Sequence, residues 1–276
     1  MRLRFTKMHG LGNDFIVIDG INQRVNLSPE QIQRLSDRRF GIGCDQLLVV
    51  EPPKSPEADF YYRIFNHDGQ EVENCGNGAR CFARFVRDRQ LSGKSKIVVD
   101  TVSGRMSLQI QKNNMVSVSM GTPILEPTQI PFRAKLRQAT YPLQLSDCII
   151  TISAISMGNP HAITVVDNVE TALVAHQGPE IEAHSDFPNK VNAGFMSIKS
   201  RREIDLRVYE RGVGETLACG TGACAAVVAG CLQQQLDANV LVNLRGGSLN
   251  IEWAGIGHSV VMTGPAISVF HGQVSI

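Results

Sequence analysis

The chain repeats itself once, and that duplication limits the folds open to it. Cys75 in "ENCGNGARCFARFV" and Cys219 in "LACGTGACAAVVAG" lie 144 positions apart (219 − 75). Each precedes Gly-polar-Gly and then an apolar stretch. "RIFN" (63–66) and "RVYE" (207–210) share that offset of 144. "GNDF" (12–15) and "GNPH" (158–161) are offset by 146, as are Gln46 and Asn192. Polar landmarks that recur in order at a near-constant spacing imply two homologous halves, placed here at 1–130 and 131–276. "PILEPTQIPFRAK" (123–135), with three prolines, is the expected crossover. At 276 residues each half has the size of a small domain, and 43% hydrophobic residues can supply both cores.

Each half reads as mixed α and β. "FIVID", "FYYRIF", "KIVVDTV", "SLQI" and "VSVSM" are β-rich runs of the first half. "AITVVD", "IDLRVYE", "VLVNL", "LNIEW" and "SVVMTG" are those of the second. "LSPEQIQRLSDRRFG" predicts a helix with Ser28 as N-cap, Pro29 at its first position, Gln31 closing a capping box and Gly41 as the stop. Two further helices are expected just after the cysteines, over about 77–90 and 221–235. Strands outnumber helices and do not alternate with them one for one. The fold class is therefore α+β: two pseudo-symmetric halves, each wrapping strands around a central helix.

A formal net charge of +1 gives no basic excess for neutralising phosphates, so nucleic acid is not an expected partner. The start "MRLRFTKMHGLGNDFIVID" carries no apolar leader segment. The longest apolar run, "ACAAVVAGCL", falls short of the roughly 18 residues of a membrane span. A cytoplasmic protein with no membrane partner is expected. Seven cysteines (44, 75, 81, 148, 219, 224 and 231) are an odd number, with no C-x-x-C and no zinc-ligand spacing, so no metal is expected. Cys44, Cys81, Cys148, Cys224 and Cys231 read as small buried apolar side chains. Cys75 and Cys219 do not, because glycine puts backbone beside each sulfur.

A helix start presents unpaired N–H groups and the positive end of a dipole. "CGNG" and "CGTG" thus each form an anion seat with a thiol at its lip, where a lowered thiol pKa is expected. A pseudo-twofold repeat would face the two seats across the cleft between halves. Inverting a carbon centre by proton transfer needs an acid on one face and a base on the other, and a thiol and a thiolate can exchange those roles. The N–H seats would hold an α-carboxylate and stabilise charge that builds as the proton leaves. Other readings of the same residues stay open. They could be a redox pair, or an acyl-transfer nucleophile served by His161, or two helix starts that need glycine only for packing.

At these residues the chain resembles the diaminopimelate epimerases. The resemblance rests on "MHGLGNDFIVID", "RRFGIGCDQLLVV", "YRIFNHDGQEVENCGNGARCFARF", "SMGNPHAI", "NAGFM" and "RVYERGVGETLACGTGACAA", which span almost the whole chain in order. It implies a two-domain, commonly dimeric isomerase that uses no cofactor, closes on its substrate and interconverts LL- and meso-2,6-diaminopimelate. That reaction serves lysine and peptidoglycan precursor synthesis. By resemblance Cys75 and Cys219 are the acid and base, with Cys219 the acceptor and Cys75 the donor in the LL-to-meso direction. Gly76, Asn77, Gly220 and Thr221 match the carboxylate seats. Asn13, Gln46, Asn66, Asn159, Asn192, Glu210 and Arg211 match substrate-binding positions, and His161 and Glu210 match groups that tune the thiols. Chemistry agrees in part. Arg211 can clamp a distal carboxylate with two parallel bonds, and the carboxamides of Asn66, Asn159 and Asn192 suit a zwitterion. Nothing in "GCDQLL" by itself demands a ligand at Gln46. Cys44 and His67 are given no role.

Overall fold

A computed structural model describes residues 2–72, 76–102 and 104–276. Glu73, Asn74 and Cys75 lie outside the described residues. The chain forms two compact units, one of residues 1–119 and 263–276 and one of residues 120–262.

The first unit begins with β1 (Arg2–Gly10) and β2 (Asn13–Asp19), followed by α1 (Pro29–Ser36), β3 (Gln46–Glu51), β4 (Phe60–Asn66) and β5 (Glu71–Val72). Then come α2 (Gly76–Asp88), β6 (Lys96–Thr101), β7 (Gly104–Ile110) and β8 (Val116–Ser119). The second unit has β9 (Tyr141–Gln144), β10 (Ile149–Ser156), β11 (Pro160–Val165), α3 (Val174–Glu182), β12 (Asn192–Ser200), β13 (Glu203–Glu210) and β14 (Gly214–Thr216). It continues through α4 (Gly220–Leu232), β15 (Asn239–Leu244) and β16 (Gly247–Glu252). The chain then runs through β17 (Val261–Gly264) into β18 (Ile267–Ser275), which pairs antiparallel with β1. The internal repeat carries no sign of this return of the last strand to the first unit.

The repeat is written into the strand pairing. β2 and β3 pair in parallel with Phe15 opposite Gln46; β11 and β12 do the same with His161 opposite Asn192. β3–β4 and β12–β13 are antiparallel, β4–β6 and β13–β15 parallel. A parallel pair needs a crossover: α1 and α3 lie in those of β2–β3 and β11–β12, and α2 and α4 in those of β4–β6 and β13–β15. The short strands are pinned alike. Arg63 Nε and Nη2 donate to the two carboxylate oxygens of Glu71 (both 2.8 Å), and Arg207 makes the same fork to Glu215 (2.7 and 2.9 Å).

The helices α2 and α4 each have 13 residues and start 144 positions apart. Both bury their first turns, and Ala223 to Ala229 of α4 are entirely enclosed. A helix apolar all round belongs inside a core, and "GTGACAAVVAGCL" is one. The second glycine of each cysteine motif lets the helix approach its strands. A Cβ on Gly78 would meet the Tyr62 hydroxyl at 2.6 Å, and one on Gly222 would meet Val208 at 3.0 Å. Those two glycines are packing residues.

The capping box of α1 forms as expected: Gln31 N–H donates to Ser28 Oγ (3.3 Å) and the Ser28 N–H to Gln31 Oε1 (2.9 Å). The helix ends at Ser36 rather than near Gly41. Asp37 Oδ1 accepts the N–H groups of Arg39 (2.7 Å) and Phe40 (2.6 Å), a turn that competes with another helical repeat.

Candidate active site

In the first unit the hairpin Leu11-Gly12 turns with both residues at positive φ (57° and 90°), as a two-residue type I′ turn requires. It sets Asn13 at the start of β2, opposite Gly10. Gln46 opens β3 and Asn66 closes β4; they face each other in the ladder, and Gln46 Nε2 donates to Asn66 Oδ1 (2.9 Å). Asn77, in the first turn of α2, donates from Nδ2 to Asn13 Oδ1 (3.2 Å). The structure thus joins Asn13 to Asn77 and Gln46 to Asn66, all at strand ends or a helix start. Gly76 opens α2 beside them in sequence.

Sequence reasoning missed the charged support behind this set. Asn13 Nδ2 donates to Asp45 Oδ2 (2.9 Å), and Arg38 bridges Asp45 (2.7 Å) and Asp14 (3.0 and 2.7 Å). Lys7 also donates to Asp14 (2.5 Å) and to the carbonyl of Gly43. Burial pushes the Asp14 carboxyl up, but the bonds from Arg38 and Lys7 outweigh it and hold the group well below the usual carboxylate range. Arg80, wholly buried in α2, donates to Asn77 Oδ1 (3.0 Å) and to the Pro265 carbonyl (3.1 Å). An arginine so soon after an apolar cysteine motif was the available signal.

In the second unit His161 and Asn192 stand opposite each other in the β11–β12 ladder. His161 is fully enclosed, with Nε2 3.2 Å from Asn159 Oδ1 and, among the described residues, no hydrogen-bond partner at Nδ1. Burial, aided by the nearby Arg211 charge, lowers its pKa from 6.5 to about 3, so the ring is neutral. Asn192 donates from Nδ2 to the Pro160 carbonyl (2.9 Å) and accepts the Arg211 backbone N–H at Oδ1 (2.9 Å). The Arg211 side chain is exposed and donates from Nη1 to the Asn189 carbonyl (3.0 Å). Gly212 follows at φ 74°, and its N–H donates to Glu182 Oε1 (2.9 Å), a contact the sequence did not suggest. Glu210 ends β13 and accepts from Thr216 Oγ1 (2.5 Å).

Cys219 is the N-cap of α4 and is buried, with Sγ 3.5 Å from Thr221 Oγ1. Gly220 opens the helix. The location at a helix start suggested a lowered thiol pKa. The reverse holds: burial first, then the Glu210 charge, raise it well above the usual value, against smaller opposing effects of Thr221 and the Gly222 N–H. Loss of solvation disfavours the thiolate here. The expectations for Cys75 fall outside the described residues.

The fold recurs in solved structures, among them an epimerase and phenazine biosynthesis proteins. A crystal structure of a hydroxyproline epimerase from Agrobacterium vitis, with bound trans-4-hydroxy-L-proline, matches it with a TM-score of 0.68 at 15% identity, over 99% of this chain and 92% of that one. Sequence narrows the class. The family model described as diaminopimelate epimerase matches residues 5–126 and 153–269. A diaminopimelate epimerase of Teredinibacter turnerae is 62% identical over 276 residues, and one of Thioalkalivibrio sulfidiphilus 60% identical over 278, each pair covering 100% of both chains. The chain belongs to the diaminopimelate epimerase family and is an isomerase.

Proposed function

We propose that the chain interconverts LL- and meso-2,6-diaminopimelate without a cofactor, using Cys75 and Cys219 as the acid–base pair. The supporting observation is Cys219: a buried thiol at the head of α4, beside Glu210, in a chain 62% identical to a diaminopimelate epimerase. The chemistry requires one sulfur on each face of the reacting α-carbon. A thiolate removes the α-proton and the opposite thiol delivers one, and the product leaves the pair in swapped protonation states. The N–H groups at Gly76, Asn77, Gly220 and Thr221 are assigned to the α-carboxylate, where they offset charge as the proton departs. Asn13, Gln46, Asn66, Asn159 and Asn192 are assigned to substrate binding, as are Glu210 and Arg211, with Arg211 clamping the distal carboxylate. His161 and Glu210 are assigned to tuning of the thiols.

Burial and Glu210 keep the proton on Cys219 in the described state. That state has Cys219 as donor. The LL-to-meso direction expected by resemblance uses it as acceptor and so starts from the other protonation state of the pair. A place in lysine and peptidoglycan precursor synthesis, in the cytoplasm and as a homodimer, completes the proposal. Among the described residues, no helix is long and apolar enough to cross a membrane.

The test is incubation with LL-diaminopimelate in heavy water, with no added cofactor. The expected result is meso product carrying solvent deuterium at the inverted α-carbon. Interconversion only on addition of pyridoxal phosphate, or product without deuterium, overturns the proposal.

A further inference from the structure

We propose that Asp45 is a positioning residue for the reaction: it fixes which way round the Asn13 carboxamide is presented. This rests on the assignment of Asn13 to the substrate site.

A carboxamide has nearly the same shape either way round, and its neighbours decide which end is oxygen. Here the neighbours leave one choice. A guanidinium only donates, so Arg80 Nη2 takes Asn77 Oδ1 (3.0 Å). That turns Asn77 Nδ2 to Asn13 Oδ1 (3.2 Å), and Asn13 Nδ2 to Asp45 Oδ2 (2.9 Å). A carboxylate only accepts. The chain of bonds therefore runs from an obligate donor to an obligate acceptor, and both carboxamides between them are held in one sense.

Both ends are anchored. Arg80 is fully enclosed and also bound to the Pro265 carbonyl. Asp45 receives Arg38 on Oδ1 (2.7 Å) and the Asp14 N–H on Oδ2 (3.1 Å), while its own N–H donates to Asp14 Oδ1 (3.0 Å). The second unit solves the same problem differently. Val191 stands where the offset of 146 places the counterpart of Asp45, and Asn159, the counterpart of Asn13, has its Oδ1 3.2 Å from His161 Nε2. Without the acceptor at Asp45, only the bond from Asn77 holds the Asn13 carboxamide in its sense, and its looser presentation weakens substrate binding.

The Asp45 side chain is 44% exposed, so its removal opens no core cavity. In Asp45→Ala, KM for diaminopimelate should rise about tenfold, the scale of a lost charge-assisted bond, with kcat within about twofold. Asp45→Asn retains an acceptor oxygen and should recover most of that loss. It also serves as the test if Asp45→Ala folds poorly. Because Asp45 acts through Asn13, adding Asp45→Ala to Asn13→Ala should change KM by less than about twofold. Side-chain amide NMR gives a readout independent of substrate: the Asn13 and Asn77 NH2 signals should shift and exchange faster in Asp45→Ala. Unmoved amide signals, or KM effects of Asp45→Ala and Asn13→Ala that multiply in the double variant, overturn the proposal. So does a KM unchanged in Asp45→Ala but raised in Asn13→Ala. A KM unchanged in Asn13→Ala instead overturns the assignment of Asn13, and the role of Asp45 with it.

Discussion

The two units share a scaffold and differ at three neighbouring site positions, two in the strand ladders and one just past a strand end. The first has Phe15 where the second has His161, Asn66 where it has Glu210, and His67 where it has Arg211. The scaffold features are alike: parallel pair, crossover helix, arginine–glutamate fork, 13-residue helix with a glycine packed on the strands. Backbone architecture was duplicated, and at these positions the second unit carries His161, Glu210 and Arg211. The second unit can therefore shift the proton affinity of its own cysteine, as the effect of Glu210 on Cys219 shows. At the corresponding positions the first unit offers a phenyl ring, one neutral carboxamide and His67.

The comparison breaks most sharply at the thiols. Two-base inversion makes them jointly necessary despite unequal surroundings. Cys75→Ala and Cys219→Ala should each lower kcat for epimerisation by about a thousandfold or more. A variant of either cysteine with more than about a tenth of the parent rate would mean that one unit suffices.

The distal clamp comes next. Arg211→Lys keeps the charge and loses the planar fork, so kcat/KM should fall about thirtyfold, within the range for a mispositioned substrate. His67→Ala, at the counterpart position, and Arg202→Lys, at a surface pair with Asp237, should stay within about threefold. Equal losses at 67 and 211 would erase the functional difference between the units.

The His161–Phe15 difference has a signature in stability. The folded-state pKa of His161 is depressed from 6.5 to about 3, so below pH 6.5 the unfolded chain takes up a proton that the folded chain refuses. Its contribution is full above the unfolded value and is lost as pH falls. By about pH 4 the loss is on the order of 3 kcal/mol. His161→Phe, which copies the first unit, should remove that part of the acid slope. The check is denaturant unfolding across the range about pH 7 to 4; an unchanged slope would mean that His161 accepts its proton in the folded state.

The smallest effect is expected at the crossover helices. α1 carries a capping box, while α3 has no side-chain cap at Leu173 and contains Pro179. Ser28→Ala should cost about 1 kcal/mol in urea unfolding and leave kcat unchanged.

Much of this was legible in the chain because it is local or periodic. The duplicated landmarks, the capping box of α1 and the two helices after the cysteines follow from spacing and residue type, which act over a few residues or recur at one offset. The site residues could be named because the resemblance supplied roles for Asn13, Gln46 and Arg211 that their own neighbourhoods do not dictate. What sequence alone could not give depends on contacts between distant segments. Cys219 lost its expected low pKa because burial, set by the packing of α4 on its strands, and the Glu210 charge disfavour the thiolate. Gly78 and Gly222 became packing residues because Tyr62 and Val208 lie against them. Asp45 and Arg80 joined the site through a bond chain reaching from residue 38 to residue 265. α1 stopped at Ser36 because the Asp37 side chain took the next N–H groups. Local pattern settled which elements form. Desolvation and hydrogen-bond direction, which exist only once segments far apart in the chain meet, decided what the side chains on them can do.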